Sequence, residues 1–248
     1  MTDSAPRRFF RRVEPARSGT GPAEATGGQP FPLTTGAPGF PRLLRAVAAV
    51  TIAGGPVAYL VGGVFSPSIH VSGQESIAAS VAADPVVNAV HMVAFVLGSY
   101  LLPVGAVALA WLAWPRSPRL ATVAGLLGVL GWLPFSALTA LDDLINTAAR
   151  SAGGTGHGAL LDTFATDTVM GGYLLVYIVF HLVAYVLFGV ALRRAGILPR
   201  WAAWSMIASS PLTVVAFALP ISPRLIGAVA VVLLVLGSLP AAVRAWRG

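Results

Sequence analysis

Residues 87–113 read VNAVHMVAFVLGSYLLPVGAVALAWLA, without one aspartate, glutamate, lysine or arginine. A helix rises ~1.5 Å per residue, so about 20 apolar residues cross the ~30 Å hydrocarbon core of a bilayer. The backbone finds no water in that core, and only a helix satisfies its N–H and C=O groups over such a stretch. Residues 87–113 therefore predict a transmembrane helix.

Other apolar runs of similar length predict further transmembrane helices. Together with the first, they cover residues 44–65, 87–113, 120–141, 169–192, 201–219 and 225–243. Prolines interrupt several runs, and Gly54-Gly55-Pro56 predicts a break within the first. The sequence thus predicts an all-α fold, an integral membrane bundle of about six transmembrane helices over residues 41–248.

The composition supports a membrane protein and excludes several chemistries. Of 248 residues, 56% are hydrophobic and 10% are charged, with a mean hydropathy of +0.79, whereas soluble domains carry about 25% charged residues. The chain has no lysine and no cysteine. This excludes a lysine Schiff base, a Walker A lysine, a thiolate nucleophile and a cysteine-ligated iron–sulfur cluster.

The arginines predict the orientation of the chain. Nine of them flank one set of span ends, whereas Arg150 and Arg224 lie at the other set. By the positive-inside rule, the arginine-rich side and both termini face the cytoplasm. The formal charge of +7 therefore indicates topology rather than nucleic-acid binding. The arginine-only, alanine-rich and glycine-rich usage favours a multi-pass protein of a bacterial cytoplasmic (inner) membrane.

Residues 1–40 differ from the rest of the chain. They are rich in Pro, Gly, Ser, Thr and Arg and lack an apolar period, which predicts a disordered basic cytoplasmic arm. The motif RRFFRR at residues 7–12 could be a twin-arginine export signal. The interpretation as a basic arm beside anionic lipid is favoured, because no small-residue cleavage site follows the first apolar run.

The fourth span carries an unusual polar stripe. Tyr173, Tyr177, His181 and Tyr185 recur every four residues, so they follow one slowly drifting face of a helix. His181 is expected near the middle of the bilayer, where an ionisable group is a candidate functional residue. We predict that His181, Tyr177 and Tyr185 bind a ligand. A histidine that is simply hydrogen-bonded within the bundle is the alternative.

A second group of polar residues is predicted at the outer face. Asn88 and His91 share one helical face at the start of span two, and Asp142 and Asp143 end span three. His91, Asp142 and Asp143 are candidates for acid–base catalysis, and Asn88 is a candidate ligand-binding residue. The neighbouring loop adds His157, Asp162 and Asp167. No metal site is predicted, since no His-x-x-x-His or Glu-x-x-His motif is present.

One segment resembles a known family. Residues 186–201 read VLFGVALRRAGILPRW. They are similar to the junction between the fourth and fifth spans in bacterial multi-pass membrane proteins classed as a domain of unknown function. The shared features are a glycine-containing span end, a short basic turn, and glycine and an apolar residue before Leu-Pro. The resemblance implies a multi-pass fold, and it implies no activity, substrate or catalytic residue.

Three classes of function remain open. The favoured one is a non-catalytic bundle, transporter-like or accessory, that holds a small or lipidic ligand, because no catalytic motif is found. The alternatives are a membrane-embedded enzyme acting on a lipid or isoprenoid, and a sensor or partner-binding module. The expected partners are membrane lipid, a small hydrophobic ligand, and either a second copy or a partner membrane subunit. Neither a cofactor nor nucleic acid is expected.

Overall fold

The computed structural model describes residues 40–67, 73–151, 154–218 and 223–248. The α-helices are α1 (Phe40–Phe65), α2 (Gly73–Ala82), α3 (Pro85–Ala113), α4 (Pro118–Arg150), α5 (Gly158–Ala165), α6 (Thr168–Arg194), α7 (Arg200–Ala218) and α8 (Pro223–Arg247). A short 3-10 helix covers Gly154–His157. The prediction of a basic arm concerns residues outside the described part, apart from Phe40, where α1 begins.

The all-α prediction is confirmed. The long helices α1, α3, α4, α6, α7 and α8 correspond to the predicted spans, with α4 continuing to Arg150, past the predicted end at residue 141. Within the described residues, α1, α3, α4, α6 and α8 are long and apolar enough to cross a membrane, by length and composition. The 19 residues of α7 include three serines and a threonine. The short helices α2 and α5 lie in the connections that follow α1 and α4.

The six long helices form a closed ring. Each packs against the next in the order α1, α3, α4, α6, α7, α8, and α8 packs back against α1. The apolar residues of these helices are spread over all faces, so the sequence does not show which helices are neighbours. The order of helices in the ring follows from side-chain packing between them. The ring is what creates an interior, and all six helices contribute to it.

The two ends of the ring differ in chemistry. At one end the Arg116 guanidinium donates a hydrogen bond to the carbonyl of Ala195, and Gly248 lies against Arg45. We call this the arginine-rich end. At the other end Arg224 donates to the carbonyls of Ser66 and Pro67, at 2.8 and 3.4 Å. We call it the cap end, because α2 and α5 cover it. Since α7 leads from the arginine-rich end to the cap end, it passes through the whole bundle despite its polar residues.

Carboxylates at the cap end hold helix N-termini. The side chains of Asp84 and Asp167 each accept hydrogen bonds from two first-turn backbone N–H groups, in α3 and α6, at 2.8–3.4 Å. Asp162 of α5 accepts the backbone N–H of Gly73 at the start of α2. The sequence grouped Asp162 and Asp167 with His157 as possible acid–base residues. The structure instead places both carboxylates in capping roles, which satisfy otherwise unpaired N–H groups.

The cap at α6 gives a stability prediction. Asp167→Ala is expected to destabilise the protein by about 1 kcal/mol, because two first-turn N–H groups lose their acceptor. Asp167→Ser should retain most of the stability, since a serine hydroxyl also caps. Thermal unfolding followed by circular dichroism in detergent measures both. Asp143→Ala is the control, since this exposed carboxylate caps no helix, and an equal loss in that variant would contradict the capping role.

Small residues on α4 allow close approach to its neighbours. A Cβ added to Gly125 would lie 2.9 Å from the Ala110 methyl, and one added to Gly128 would lie 2.8 Å from the Ala106 methyl. The small residues of this helix thus permit close packing against α3. The predicted break at Gly54-Gly55-Pro56 was wrong, because α1 is continuous there. Gly55 instead lets α1 pack against α3, with its ideal Cβ position 3.2 Å from the Leu102 nitrogen.

Candidate functional site

A cavity of about 330 Å³ lies inside the ring, with residues from all six long helices in its wall. Its volume falls in the lower part of the ~300–1,000 Å³ range typical of ligand sites. The wall is largely apolar and aromatic. Its polar side chains are Tyr59, Ser66, Asp142, Tyr177, His181, Tyr185, Ser209, Ser210, Thr213 and Arg224. We call it the central cavity.

Three of the predicted ligand-binding residues line the central cavity. His181 lies about halfway along α6, and it shares the wall with Tyr177 and Tyr185. Tyr173 leaves this face and is 46% exposed. The reason is geometric: four residues advance an α-helix by about 400°, so a four-residue period drifts by about 40° at each step. Of the four residues in the predicted stripe, only Tyr177, His181 and Tyr185 therefore line the central cavity.

The hydrogen bond of His181 fixes its tautomer. Its Nδ1 bonds the backbone carbonyl of Tyr177, which can only accept, so Nδ1 carries the proton. A neutral imidazole then has a lone pair on Nε2. No group among the described residues bonds Nε2, whereas every fully buried side-chain nitrogen or oxygen among them has a hydrogen-bond partner. Nε2 is therefore not fully buried. Because His181 lines the central cavity, Nε2 is accessible from it as a hydrogen-bond acceptor.

Trp132 of α4 organises the aromatic part of the wall. It is fully buried, and its ring centroid lies 4.7 Å from that of His181 and 5.2 Å from that of Tyr59. Its Nε1–H donates to the Tyr185 hydroxyl at 3.1 Å. The hydroxyls of Tyr59 and Tyr177 share a hydrogen bond of 2.7 Å. These contacts tie α1, α4 and α6 together around one apolar surface.

His91 and Asp142 meet near the cap end of the cavity. The Nδ1 atom of His91 lies 2.8 Å from the Gly62 carbonyl oxygen, so it carries a proton and donates. Its Nε2 lies 3.8 Å from Oδ2 of Asp142, within ion-pair distance. His91 is buried and Asp142 is half-buried, and the Asp142 side chain lines the central cavity. The structure thus brings together two of the three catalytic candidates.

Arg224 contributes a positive charge to the same end of the cavity. It is the only arginine in the described lining. Its Nη2 donates to the Ser66 and Pro67 carbonyls, while Nε and Nη1 have no acceptor among the described residues. A guanidinium offers five N–H donors in a planar fork. Arg224 can therefore be held in place by the backbone and still bind a ligand.

Asn88 and Asp143 lie elsewhere. They line a separate cleft of about 430 Å³ between α2, α3 and α4, together with Asn146 and Arg150. The Asn88 side-chain amide donates to that of Asn146, which joins α3 to α4. Asp143 is exposed in this cleft. Their assignment to ligand binding and catalysis stays a prediction, and neither residue reaches the central cavity.

Sequence reasoning missed three residues that shape the cavity. Tyr59 and Trp132 lie inside apolar runs, where the sequence does not distinguish an aromatic residue that lines a cavity from one that only packs against a neighbouring helix. Arg224 was read as a topology signal alone. The sequence did contain a weak signal for Arg224, because it is one of two arginines at the arginine-poor span ends. The positive-inside rule does not account for an arginine on that side, so such a residue is a candidate for another role.

The fold and the cavity define the class of this protein: a multi-pass helical membrane protein with an aromatic-lined internal site. Within the described residues, no group of three His, Asp or Glu side chains is placed to hold a metal ion. No protein-family model, curated protein or solved structure matches the chain. The geometry of the site is therefore the basis for inferring a function.

Proposed function

We propose that this chain is a non-catalytic bundle of the bacterial cytoplasmic membrane, transporter-like or accessory, and that its central cavity holds a small amphipathic ligand. The observation that carries the proposal is Nε2 of His181, an acceptor in the cavity wall with no hydrogen-bond partner among the described residues. A ligand that donates a hydrogen bond to this atom would gain a directed polar contact within a largely apolar space.

The wall indicates the chemistry of the ligand. A hydroxyl or similar donor would satisfy Nε2 of His181. The rings of Trp132, Phe135 and Tyr177, which contact one another at centroid distances of 5.7–5.8 Å, form a continuous apolar face for the rest of the molecule. Small residues on α8, Gly227 and Ala228, leave room on the opposite wall. A compact ring or a short chain with one donor fits this arrangement.

The proposal predicts a site-specific response to a simple compound. In protein labelled with ¹⁵N-histidine, 4-butylphenol is expected to shift the Nε2 resonance of His181, because the phenol donates to its lone pair. The methyl ether 4-butylanisole has a closely similar body and no donor, and it should leave this resonance nearly unchanged. The chain has only four histidines, so single His→Gln variants assign each signal.

A matched pair of glycine variants controls for partition into lipid. The ideal Cβ positions at Gly227 and Gly171 both meet nothing within 4 Å, but only Gly227 lines the cavity. Gly227→Phe should fill the cavity and abolish the response to the phenol, whereas Gly171→Phe should not. A shift of His181 that is equal for phenol and ether, or that survives in Gly227→Phe, would rule out a ligand at this site.

A further inference from the structure

The groups at the cap end of the central cavity indicate which ligands it selects. His91 and Asp142, whose Nε2 and Oδ2 atoms lie 3.8 Å apart, can bind one exchangeable proton as a pair. Because Nδ1 of His91 is committed to the Gly62 carbonyl, that proton resides either on Nε2, giving imidazolium and carboxylate, or on Asp142, giving imidazole and carboxylic acid. In both forms the pair is neutral, and loss of the proton leaves it with one negative charge.

The other charged and titratable groups around this pair are few. At the cap end and in the cavity wall, the described residues of this kind are Tyr59 on α1, Glu75 on α2, Asp84 at the start of α3, Asp143 and Arg150 on α4, His157 in the 3-10 helix, Asp162 on α5, Asp167 at the start of α6, Tyr173, Tyr177, His181 and Tyr185 on α6, and Arg224 on α8. Asp143 and Arg150 line the separate cleft, and Asp162 binds the N-terminus of α2. Of the groups in the cavity itself, Arg224 carries a permanent charge, while tyrosine hydroxyls are neutral at physiological pH.

The charge balance therefore depends on the shared proton. With the proton bound, the pair is neutral and Arg224 leaves one positive charge in the cavity wall. Without it, the Asp142 carboxylate offsets Arg224 and repels an anion in the same space. Arg224 is exposed at the cap end, where α8 begins, so the protonated cavity offers an accessible positive charge that matches a ligand with one negative charge.

We propose that the central cavity binds an amphipathic monoanion together with one proton: Arg224 holds the anionic group of the ligand, and the His91–Asp142 pair holds the proton. This rests on the proposed function, since it assigns a charge and a coupled ion to the ligand of that same cavity. The free Nε and Nη1 donors of Arg224 provide the contact with a carboxylate or similar anion. A transporter of this kind would carry the anion and the proton in the same direction.

Equilibrium binding to the full chain in lipid nanodiscs tests the coupling. The compounds are 4-butylbenzoate, which is anionic throughout, and the neutral 4-butylphenol, at about pH 5.5 and about pH 8, either side of the usual histidine range. Because proton and anion favour each other's binding, the affinity for benzoate is expected to fall at least about tenfold as the pH rises. The affinity for the phenol should change little.

Three variants separate the roles of the residues. Asp142→Asn imitates the protonated acid, so it should retain benzoate binding at pH 8 and lose most of the pH dependence. The neighbouring Asp143→Asn, in the separate cleft, is the matched control and should behave as wild type. Arg224→Gln should weaken benzoate binding at least about tenfold and leave phenol binding intact, because only the anion needs the guanidinium.

The possible results distinguish this inference from the proposed function. If the phenol binds but the benzoate affinity ignores pH, or keeps its pH dependence in Asp142→Asn, the coupling is wrong while the cavity remains a ligand site. If Arg224→Gln weakens both compounds equally, the anion assignment is wrong. If neither compound binds to the wild type, both proposals fall. Should Asp142→Asn not fold, Asp142→Ser removes the same carboxylate and is expected to lose the pH dependence too.

Discussion

Replacement of Gly131 by alanine is expected to destabilise the bundle by about 2–3 kcal/mol, in the upper part of the range for overpacking. A Cβ at this position of α4 would overlap the backbone nitrogen of His181 and lie 3.0 Å from its Cα and from the Phe180 carbonyl carbon. Backbone atoms cannot rotate away as a side chain does. The two helices would have to separate, and His181 would move with α6.

The matched control is Gly171→Ala, near the start of α6. Its ideal Cβ position meets nothing within 4 Å, so this variant should be neutral or gain up to about 1 kcal/mol from better helix propensity. Unfolding in mixed micelles of mild detergent and dodecyl sulfate compares the two. Gly131→Ala should also lose the response of His181 to 4-butylphenol. Equal stability of both variants would mean that α4 and α6 are not in the close contact described.

Trp132→Ala is the second substitution with a large expected effect. Removal of the fully buried indole should cost about 3 kcal/mol, the lower end of the range for deletion of a large aromatic side chain. The lower end applies because lipid tails are as apolar as the interior, so the loss comes mainly from packing. The deletion also leaves the Tyr185 hydroxyl without its indole donor.

The same variant makes a prediction about ligand size. With the indole gone, the central cavity should admit a bulkier phenol, such as 4-cyclohexylphenol, in addition to 4-butylphenol. Trp132→Phe separates the two effects, because it keeps most of the volume and removes only the N–H donor. Stability and the His181 resonance report them independently. A Trp132→Ala variant as stable as wild type would show that the indole does not fill the interior as described.

The fold could be predicted from the sequence because lipid imposes one constraint on every apolar run. Inside the bilayer a helix is required, so the runs at 44–65 and 169–192 gave α1 and α6 within a few residues at most boundaries. The run at 201–219 likewise gave α7, although it contains three serines and a threonine.

The candidate site could be predicted only where its residues lie on one helix. Tyr177, His181 and Tyr185 have a spacing that is visible in the sequence, and the structure places all three in the cavity wall. Contacts between helices depend on which helices are neighbours and how each is rotated. For this reason the pairing of His91 with Asp142 rather than with Asp143, and the arrival of Arg224 from α8, required the structure.

The polar character of α7 has a consequence for how the protein is made. The insertion machinery selects each segment by its hydrophobicity as it leaves the ribosome, and the serine and threonine hydroxyls of α7 count against it in that selection. Within the bundle these hydroxyls have carbonyl acceptors: Ser209 donates to the Met206 carbonyl at 2.7 Å, and Ser210 donates to the Leu182 carbonyl of α6 at 2.8 Å. Since α6 is synthesised first, it can offer that acceptor to α7 during biogenesis. The order of synthesis thus lets a helix already in the membrane satisfy a polar side chain of the helix that follows it.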